Sequence, residues 1–358
     1  MSDNRKRSRP WYVSAALRLG LALFCIVLFV LALILLKEGA KPFAPLIRNQ
    51  FSVDSPASAL GFGWLSANLT LSGSPVAATS LALLDANVLS AVESFAMIAG
   101  SRLGAAFVVL LIGLVYMLRG KQRVLSLNVG LLSLLVTQTM YPLVLALGFF
   151  FMSNGWLDRW QVQASQDVSS PLETLINPLL IVFQELLPTW ALFPVGFLLV
   201  LSSLWLFDKA IPEIHFEEAG LGLLSHALYR PVVVFLAGAL VTSLTMSVSV
   251  SLSLLVPLSV RGIIRRENAI PYIMGANITT FIDTLVAAAL LANSSAVTVV
   301  LVMMISVAVV SLLVMALGFR QYECFLDGIV NFLGRRRRHL VGYIFVIFAV
   351  PFVLLIFG

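Results

Sequence analysis

Long unbroken apolar runs are the feature of this sequence that most constrains its fold. A helix that crosses a bilayer needs about 20 consecutive apolar residues, and such runs recur along the whole chain. The predicted spans are Val13–Leu36, Ser94–Leu118, Leu125–Met152, Leu187–Phe207, Ala269–Leu291, Ala296–Phe319 and Val341–Phe357. The chain is 60% hydrophobic and 11% charged, whereas soluble domains are about half apolar and a quarter charged. We therefore expect an all-α polytopic membrane protein.

Two further apolar regions are too interrupted to be ordinary spans. Residues 51–92 contain Pro56, Gly73 and Pro75, and residues 230–260 contain a run of hydroxyl residues followed by Pro257. Each region is too long for one helix and too broken for two full ones. Irregular backbone at membrane depth is tolerated only where protein or a wet cavity surrounds it. We predict a re-entrant hairpin of two short helices in each region.

An internal repeat relates these regions at a constant offset of 175 residues. At this offset the first predicted span falls on the fourth, and Leu69–Ser74 falls on Leu244–Ser249. Gly100 falls on Gly275 in the span that follows each hairpin. The shared order of span, hairpin, span and span is the stronger signal, because single identities between apolar segments arise easily by chance. The sequence therefore predicts two structural repeats and one extra span at the C-terminus.

Positive charge indicates how these repeats lie in the membrane. The dense basic clusters are Arg5–Arg9, Arg119–Arg123, Arg261–Arg266 and Arg335–Arg338. Such clusters mark cytoplasmic loops, and the predicted spans place all four on one side if the N-terminus is cytoplasmic. The two repeats then have opposite orientations, which is the inverted-topology arrangement of many secondary transporters. The net charge of +6 is explained by these loops, so no nucleic-acid partner is expected.

The hydroxyl residues of the two broken regions are candidates for a binding site. Thr245, Ser247 and Ser249 are spaced two apart, so no face of a regular helix presents all three. A helix break would let them converge and would free backbone N–H and C=O groups for an anion or a small cation. The alternative is a packing role, in which small residues let helices approach closely and hydroxyls bond to carbonyls one turn back.

Motifs in the second repeat carry a family resemblance. The chain reads SLTMSVSVS at Ser243–Ser251 and AIPYIMGANITTFIDTLVAAAL at Ala269–Leu290. This pattern resembles the type II sodium–phosphate cotransporters and their bacterial relatives, which carry Gln-Ser-Ser-Ser stretches in two inverted repeats and a Gly-Ala-Asn-Ile-Gly-Thr-Thr stretch. Gly275–Thr280 match the later stretch with one glycine absent. The resemblance implies sodium-coupled symport of phosphate or a related small anion by alternating access.

The chain departs from the family pattern at several positions. Leu71 and Met246 stand where the family has glutamine, and Gly73 and Val248 stand where it has the middle serine. Arg102 stands at the first-repeat position that corresponds to Asn277. Two amide groups that would bond to an oxyanion are therefore absent, which leaves open a transport-inactive or regulatory membrane scaffold of the same fold. An intramembrane hydrolase is a third, weaker alternative, because the only histidines are His215, His226 and His339.

Charged residues inside spans complete the predicted site. Arg102 and Asp283 lie within spans, where a charge needs a partner or a wet path. Arg102 is predicted either to hold an anionic substrate or to pair with Asp283 or Glu93 and so tie the repeats together. The predicted substrate-binding residues are Thr70, Ser72, Ser74, Thr245, Ser247, Ser249, Asn277 and Arg102. The predicted ion-binding residues are Ser249, Thr279, Thr280 and Asp283.

The predicted organisation divides the chain into six parts. They are a cytoplasmic tail (1–12), a first repeat (13–153), an extracytoplasmic loop with a linker helix (154–186), a second repeat (187–319), a basic cytoplasmic loop (320–340) and a C-terminal span (341–358). The expected partners are a small inorganic anion, Na⁺ and the lipid bilayer, with a homodimer left open. We expect no enzymatic activity and no cofactor beyond a coupling Na⁺, and we place the chain in a bacterial inner membrane.

Overall fold

The computed structural model is helical throughout most of the residues that it describes, which are 11–50, 53–118, 123–155, 166–210, 230–248, 251–252, 255 and 266–358. No strand occurs among these residues. The helices are α1 (Trp11–Pro45, continued by a π-helix at Leu46–Gln50), α2 (Pro56–Thr70), α3 (Ser74–Asp85), α4 (Ala91–Leu118), α5 (Arg123–Ser153), α6 (Gln166–Leu186), α7 (Thr189–Ala210), α8 (Pro231–Thr245), α9 (Arg266–Thr279), α10 (Ile282–Leu290), α11 (Ser294–Leu317), α12 (Phe319–Arg335) and α13 (Arg337–Phe357).

Seven segments of the described chain are helical, long and apolar enough to cross a membrane. They are Gly20–Arg48, Ala91–Val115, Leu127–Ser153, Thr189–Phe207, Asn268–Leu290, Ser294–Leu317 and Arg337–Phe357. Each overlaps one predicted span, and the first extends beyond its predicted end at Leu36. The prediction of an all-α polytopic membrane protein is confirmed at this level. The segments differ in burial. In the apolar stretch of α4, 72% of the residues are buried, whereas in that of α13 only 11% are. α4 is therefore central and α13 peripheral.

The first interrupted region is built from α2 and α3. Ser55 and Ser58 form a capping box at the start of α2, with Pro56 in the first turn, where its missing N–H costs nothing. The helix ends at Thr70 because Leu71 adopts a left-handed conformation with φ 54°. Since α3 begins only at Ser74, residues 71–73 form a true break between two short helices.

The second interrupted region has the same local structure at its first half. α8 begins at Pro231 and ends at Thr245, and Met246 is left-handed with φ 49°. Helical structure resumes at Val248. The bounds of α2 and α8, and the left-handed residue after each, are related by the 175-residue offset found in the sequence. Most of residues 249–265, which complete this predicted hairpin, lie outside the described residues.

Glycines let each of these short helices pack tightly on the long helix that follows it. A methyl group at Gly63 would overlap the carbonyl oxygen of Met97, and one at Gly100 would overlap that of Leu60. The same overlaps recur 175 residues later, between Gly238 and Tyr272 and between Gly275 and Phe235. Backbones can approach this closely only where small residues form the contact. The α2–α4 and α8–α9 contacts are therefore built in the same way.

The long helices that follow the two hairpins differ in one respect. α4 is continuous, whereas its counterpart is divided at Thr280–Phe281 into α9 and α10. Ala269–Leu291 is predicted from the sequence as one unbroken span, and the division is a finding of the structure. Thr280–Phe281 contains neither glycine nor proline, so the break has a tertiary cause, which is described below.

Two predicted connections are helical in the structure. Residues 320–340, predicted as a basic loop, contain α12 and the start of α13. α12 buries Leu326, Val330 and Leu333 along one side, a spacing of three to four residues that is typical of an amphipathic helix. Its Tyr322 hydroxyl lies 2.7 Å from that of Thr139. Burial raises the pKa of Tyr322 to about 12, so this contact is a neutral hydrogen bond.

The linker helix predicted within residues 154–186 corresponds to α6. Ile176 is fully buried and belongs to a small core cluster with Val30, Leu31 and Leu35 of α1. Leu179, Ile181 and Leu186 are exposed. α6 therefore packs one side on α1 and leaves apolar residues outward, as expected for a helix in contact with lipid.

Candidate functional site

The two helix breaks meet at one cavity. A cavity of about 460 Å³ is lined by Thr70 and Ser72 from the first break and by Ser247 from the second. The remaining wall consists of Leu71 in the first break, Pro75 of α3, Val108 of α4, and Leu201, Ser202, Leu204 and Trp205 of α7. The structure therefore brings together hydroxyl residues that are separated by about half of the chain. A cavity of this size suits a small-molecule ligand.

One threonine at each break makes the same pair of hydrogen bonds to the backbone. The Thr70 hydroxyl lies 2.9 Å from the carbonyl oxygen of Ser66 and 3.0 Å from that of Ser72. The Thr245 hydroxyl lies 2.9 Å from the carbonyl oxygen of Val241 and 3.2 Å from that of Ser247. In each case one hydroxyl serves the last turn of the helix and a carbonyl just beyond it. Each threonine thus links the last turn of its helix to the backbone just beyond the break.

Leu71 and Met246 occupy strained backbone positions at the two breaks. Their φ angles of 54° and 49° fall in the left-handed region, which bulky residues seldom adopt. The resemblance places glutamine at both positions, and neither side chain carries an amide. The breaks therefore persist without the family's amides, held by the threonine contacts and by the close packing of Gly73, where an added methyl would lie 2.9 Å from the carbonyl oxygen of Ser101.

Arg102 forms the main polar link between the two halves of the described chain. It is 5% exposed and lies on α4. Its Nη1 donates to the Thr280 hydroxyl at 2.9 Å, and its Nη2 donates to the Thr284 hydroxyl at 2.8 Å and to the Thr280 carbonyl at 3.3 Å. Nη2 also lies 3.4 Å from Asp283 Oδ1. The guanidinium carbon is 4.6 Å from the centre of the Phe281 ring.

These contacts explain why α9 and α10 separate at Thr280–Phe281. The end of a helix leaves carbonyl groups free and carries partial negative charge, which a cation stabilises. Arg102 supplies that cation and a donor to the Thr280 carbonyl. Asp283 lies in the first turn of α10, where the helix dipole favours an anion. Arg102 therefore stabilises the C-terminal end of α9, and Asp283 stabilises the N-terminal end of α10.

A second cavity lies beside the first. It has a volume of about 260 Å³ and is lined by Asp283, Met246 and residues of α1, α7 and α10. Leu204 lines both cavities, and Met246 and Ser247 are consecutive. The second break therefore separates two neighbouring spaces, one lined partly by hydroxyl groups and one whose lining is mainly apolar.

Several predicted site residues lie away from the cavity or outside the described chain. Asn277 Nδ2 donates to the Thr137 hydroxyl of α5 at 3.3 Å, so it makes an interhelical hydrogen bond and does not line the cavity. Thr279 donates to the Ala239 carbonyl of α8 at 2.8 Å, which is a packing contact. Ser74 opens α3 but is not part of the cavity wall. Ser249, predicted for both substrate and ion, lies outside the described residues.

The remaining predicted charges have structural partners. Glu93 accepts from the Ser90 backbone N–H at 2.7 Å and caps α4, so the predicted Arg102–Glu93 pair is wrong and the Arg102–Asp283 alternative is the one formed. Asp85 lies 2.8 Å from Lys37 Nζ and accepts from Asn293 at 2.7 Å. That cluster joins α1, α3 and the start of α11, and neither Lys37 nor Asn293 is predicted from the sequence as a partner of Asp85.

The histidines and possible metal ligands add no second site to the described residues. His339 Nδ1 lies 2.9 Å from the Phe332 carbonyl, between α12 and α13. His215 and His226 lie outside the described residues. Within the described part of the chain, no three His, Cys, Asp or Glu side chains are grouped to hold a metal ion.

Comparisons with known proteins give no family assignment. No family model matches the chain, and neither the curated proteins nor the solved structures contain a significant match. The resemblance to sodium–phosphate cotransporters therefore depends on the motifs and the repeat register alone.

Proposed function

We propose that the protein is a secondary transporter that moves a small anion, phosphate or a relative of it, across the membrane by alternating access. The observation that carries the proposal is the shared cavity of Thr70, Ser72 and Ser247 at two helix breaks. Broken helices that meet within a polytopic helical protein are the usual place of transporter binding sites. Hydroxyl groups and freed backbone N–H groups at such a place can bond to oxyanion oxygens.

In this proposal the chain consists of two inverted-topology repeats with re-entrant hairpins. Support comes from the 175-residue offset that relates the bounds of α2 and α8, their left-handed ends and their threonine contacts. The basic clusters support a cytoplasmic N-terminus by the positive-inside rule. Sodium coupling is supported by the family resemblance, and a bacterial inner membrane follows from the bacterial branch of that family.

Flux measurements test the proposal. Purified protein in proteoliposomes would be offered a panel of labelled anions that includes phosphate, with and without a sodium gradient. We expect uptake of at least one oxyanion by wild-type protein. Ser247→Ala removes one cavity hydroxyl and should lower that uptake by at least roughly tenfold, the effect of about 1.4 kcal/mol from one lost hydrogen bond. Ser311→Ala, at a buried serine of α11, should leave uptake unchanged. Equal uptake by wild type and Ser247→Ala would contradict the proposed site.

A transport-inactive scaffold of the same fold is the second candidate. Two observations favour it: Leu71 and Met246 stand in place of glutamines, and Arg102 ties α4 to α9 and α10. The same proteoliposomes separate the candidates, because a scaffold predicts no saturable uptake of any anion in the panel. A scaffold would also leave Ser247→Ala and Ser311→Ala indistinguishable from wild type.

A further inference from the structure

The predicted ion-binding residues already surround a cation that belongs to the chain. Thr280, Thr284 and Asp283 present two hydroxyl oxygens, a backbone carbonyl and a carboxylate oxygen, all within 3.4 Å of Arg102 nitrogens. Hydroxyl, carbonyl and carboxylate oxygens are also suitable ligands for Na⁺ at broken helices. The guanidinium fills this set of oxygens, so a free Na⁺ has no room among them.

We propose that Arg102 is a tethered replacement for a sodium ion at this position. The protein would then need no Na⁺ here, and removal of the guanidinium would uncover a sodium site made of Asp283, Thr280 and Thr284. The repeat register supports this interpretation, because the residue that corresponds to Arg102 in the second half is the neutral Asn277. A single substitution at position 102 would therefore replace the fixed positive charge of the arginine by a Na⁺ ion that exchanges with solvent.

Burial gives Asp283 a strong requirement for a cation. Arg102 and Asp283 are each 5% exposed, and an unpaired charge at that depth is strongly destabilising. Among the described residues, Asp283 Oδ2 and Arg102 Nε have no hydrogen-bond partner. Asp283 also lines the 260 Å³ cavity, whose other lining residues are mainly apolar. Loss of the arginine charge therefore leaves a carboxylate that another cation would stabilise.

Thermal unfolding in detergent tests the inference, in sodium chloride and in choline chloride at equal concentration. Any effect of sodium on the wild-type midpoint should not depend on Asp283, because Arg102 leaves no Na⁺ at that carboxylate. Arg102→Asn should unfold at a lower temperature in choline and should recover roughly 2–4 °C or more in sodium, saturating as the ion fills the site. Arg102→Lys keeps a tethered charge and should respond to sodium no more than wild type does. The double variant Arg102→Asn, Asp283→Asn should lose the sodium response.

The outcomes separate cleanly. An Arg102→Asn midpoint that is equally low in sodium and choline overturns the inference, and so does a sodium response that survives in the double variant. If Arg102→Asn does not fold in either salt, wild-type protein is compared with Asp283→Asn. A sodium response that is present in the wild type and abolished by Asp283→Asn would show that Na⁺, not Arg102, neutralises Asp283. If neither protein responds to sodium, the result supports the tethered cation. The inference rests on the proposed function and changes its ion chemistry, because it places Arg102 instead of Na⁺ beside Asp283. Unfolding requires no transport, so the inference can fail while the flux test succeeds.

Discussion

At the scale of single residues, the hydroxyls of the broken regions have two different roles. Thr70 and Thr245 bond to backbone carbonyls on both sides of a break, and Thr70 also lines the cavity together with Ser72 and Ser247. The packing role therefore belongs to the two threonines, and the proposed binding role belongs to the two serines and Thr70. Alternation of hydroxyls follows from this division, because the residue between them is the left-handed one that turns the chain.

Thr70→Val tests the supporting role of the threonines. Valine keeps the shape of the side chain but removes the hydroxyl that donates to the part-buried Ser66 and Ser72 carbonyls, and loss of such a hydrogen bond costs about 0.5–1.5 kcal/mol. We expect a lower midpoint of thermal unfolding in detergent. Thr298→Val is the matched control, because the Thr298 hydroxyl bonds one turn back, to Ser294 in an unbroken helix. Equal losses in the two variants would mean that the break needs no threonine.

At the scale of helices, close contact through glycine determines where the short helices lie. Gly63 and Gly100 place α2 against α4, and Gly238 and Gly275 place α8 against α9. These contacts hold the ends of α2 and α8, and hence both left-handed residues, at corresponding places. The position of the cavity therefore depends on four glycines that do not line it.

Gly238→Ala tests this dependence. The added methyl would overlap the carbonyl oxygen of Tyr272, and since both partners are backbone, the helices must separate. We expect a loss of about 1–3 kcal/mol, typical of overpacking, seen as a lower unfolding midpoint. Gly342→Ala is the control, because a methyl there meets no atom within 4 Å. A Gly238→Ala protein as stable as the Gly342→Ala protein would contradict the packing described.

The helices could largely be predicted from the sequence, and the exceptions have physical reasons. The breaks at Leu71 and Met246 follow from repeat register and from hydroxyl residues that no helix face accommodates. The break at Thr280–Phe281 could not be predicted, because its cause is Arg102, 178 residues away along the chain. The prediction of a loop at α12 is wrong because basic residues typical of a cytoplasmic loop also occur on an amphipathic helix, and the spacing of its buried residues is the signal that distinguishes the two.

The candidate site could be predicted only in part, for the same kind of reason. The meeting of Thr70, Ser72 and Ser247 follows from the repeat. Asn277 is expected from its motif to line the site, but its amide donates a hydrogen bond to Thr137 on α5 instead. Local sequence does not reveal which neighbouring helix supplies the partner of a buried amide. The α7 wall of the cavity carries no motif that separates it from other apolar spans.

At the scale of the whole molecule, two features are in tension. The cavity lies between the breaks and therefore between the proposed repeats, where rocking of one repeat against the other would expose it alternately. The Arg102 contacts with α9 and α10 cross the same boundary and hold the halves together. Alternating access consequently requires that this link either moves as a unit with one side or opens once per cycle.

The most direct test of the account asks whether the two breaks face one another across one cavity in the membrane. Cysteines at positions 72 and 247 would be introduced as Ser72→Cys and Ser247→Cys, with the native Cys25 and Cys324 replaced by serine. Membranes would be treated with a short bifunctional thiol reagent, and the products would be analysed by mass spectrometry. Ser72→Cys with Ser153→Cys is the control pair, since Ser153 is exposed at the end of α5. We predict an intramolecular cross-link between positions 72 and 247, slowed by any anion for which the flux test shows uptake. Both cysteines reacting singly, with no cross-link above the control pair, would contradict the shared cavity.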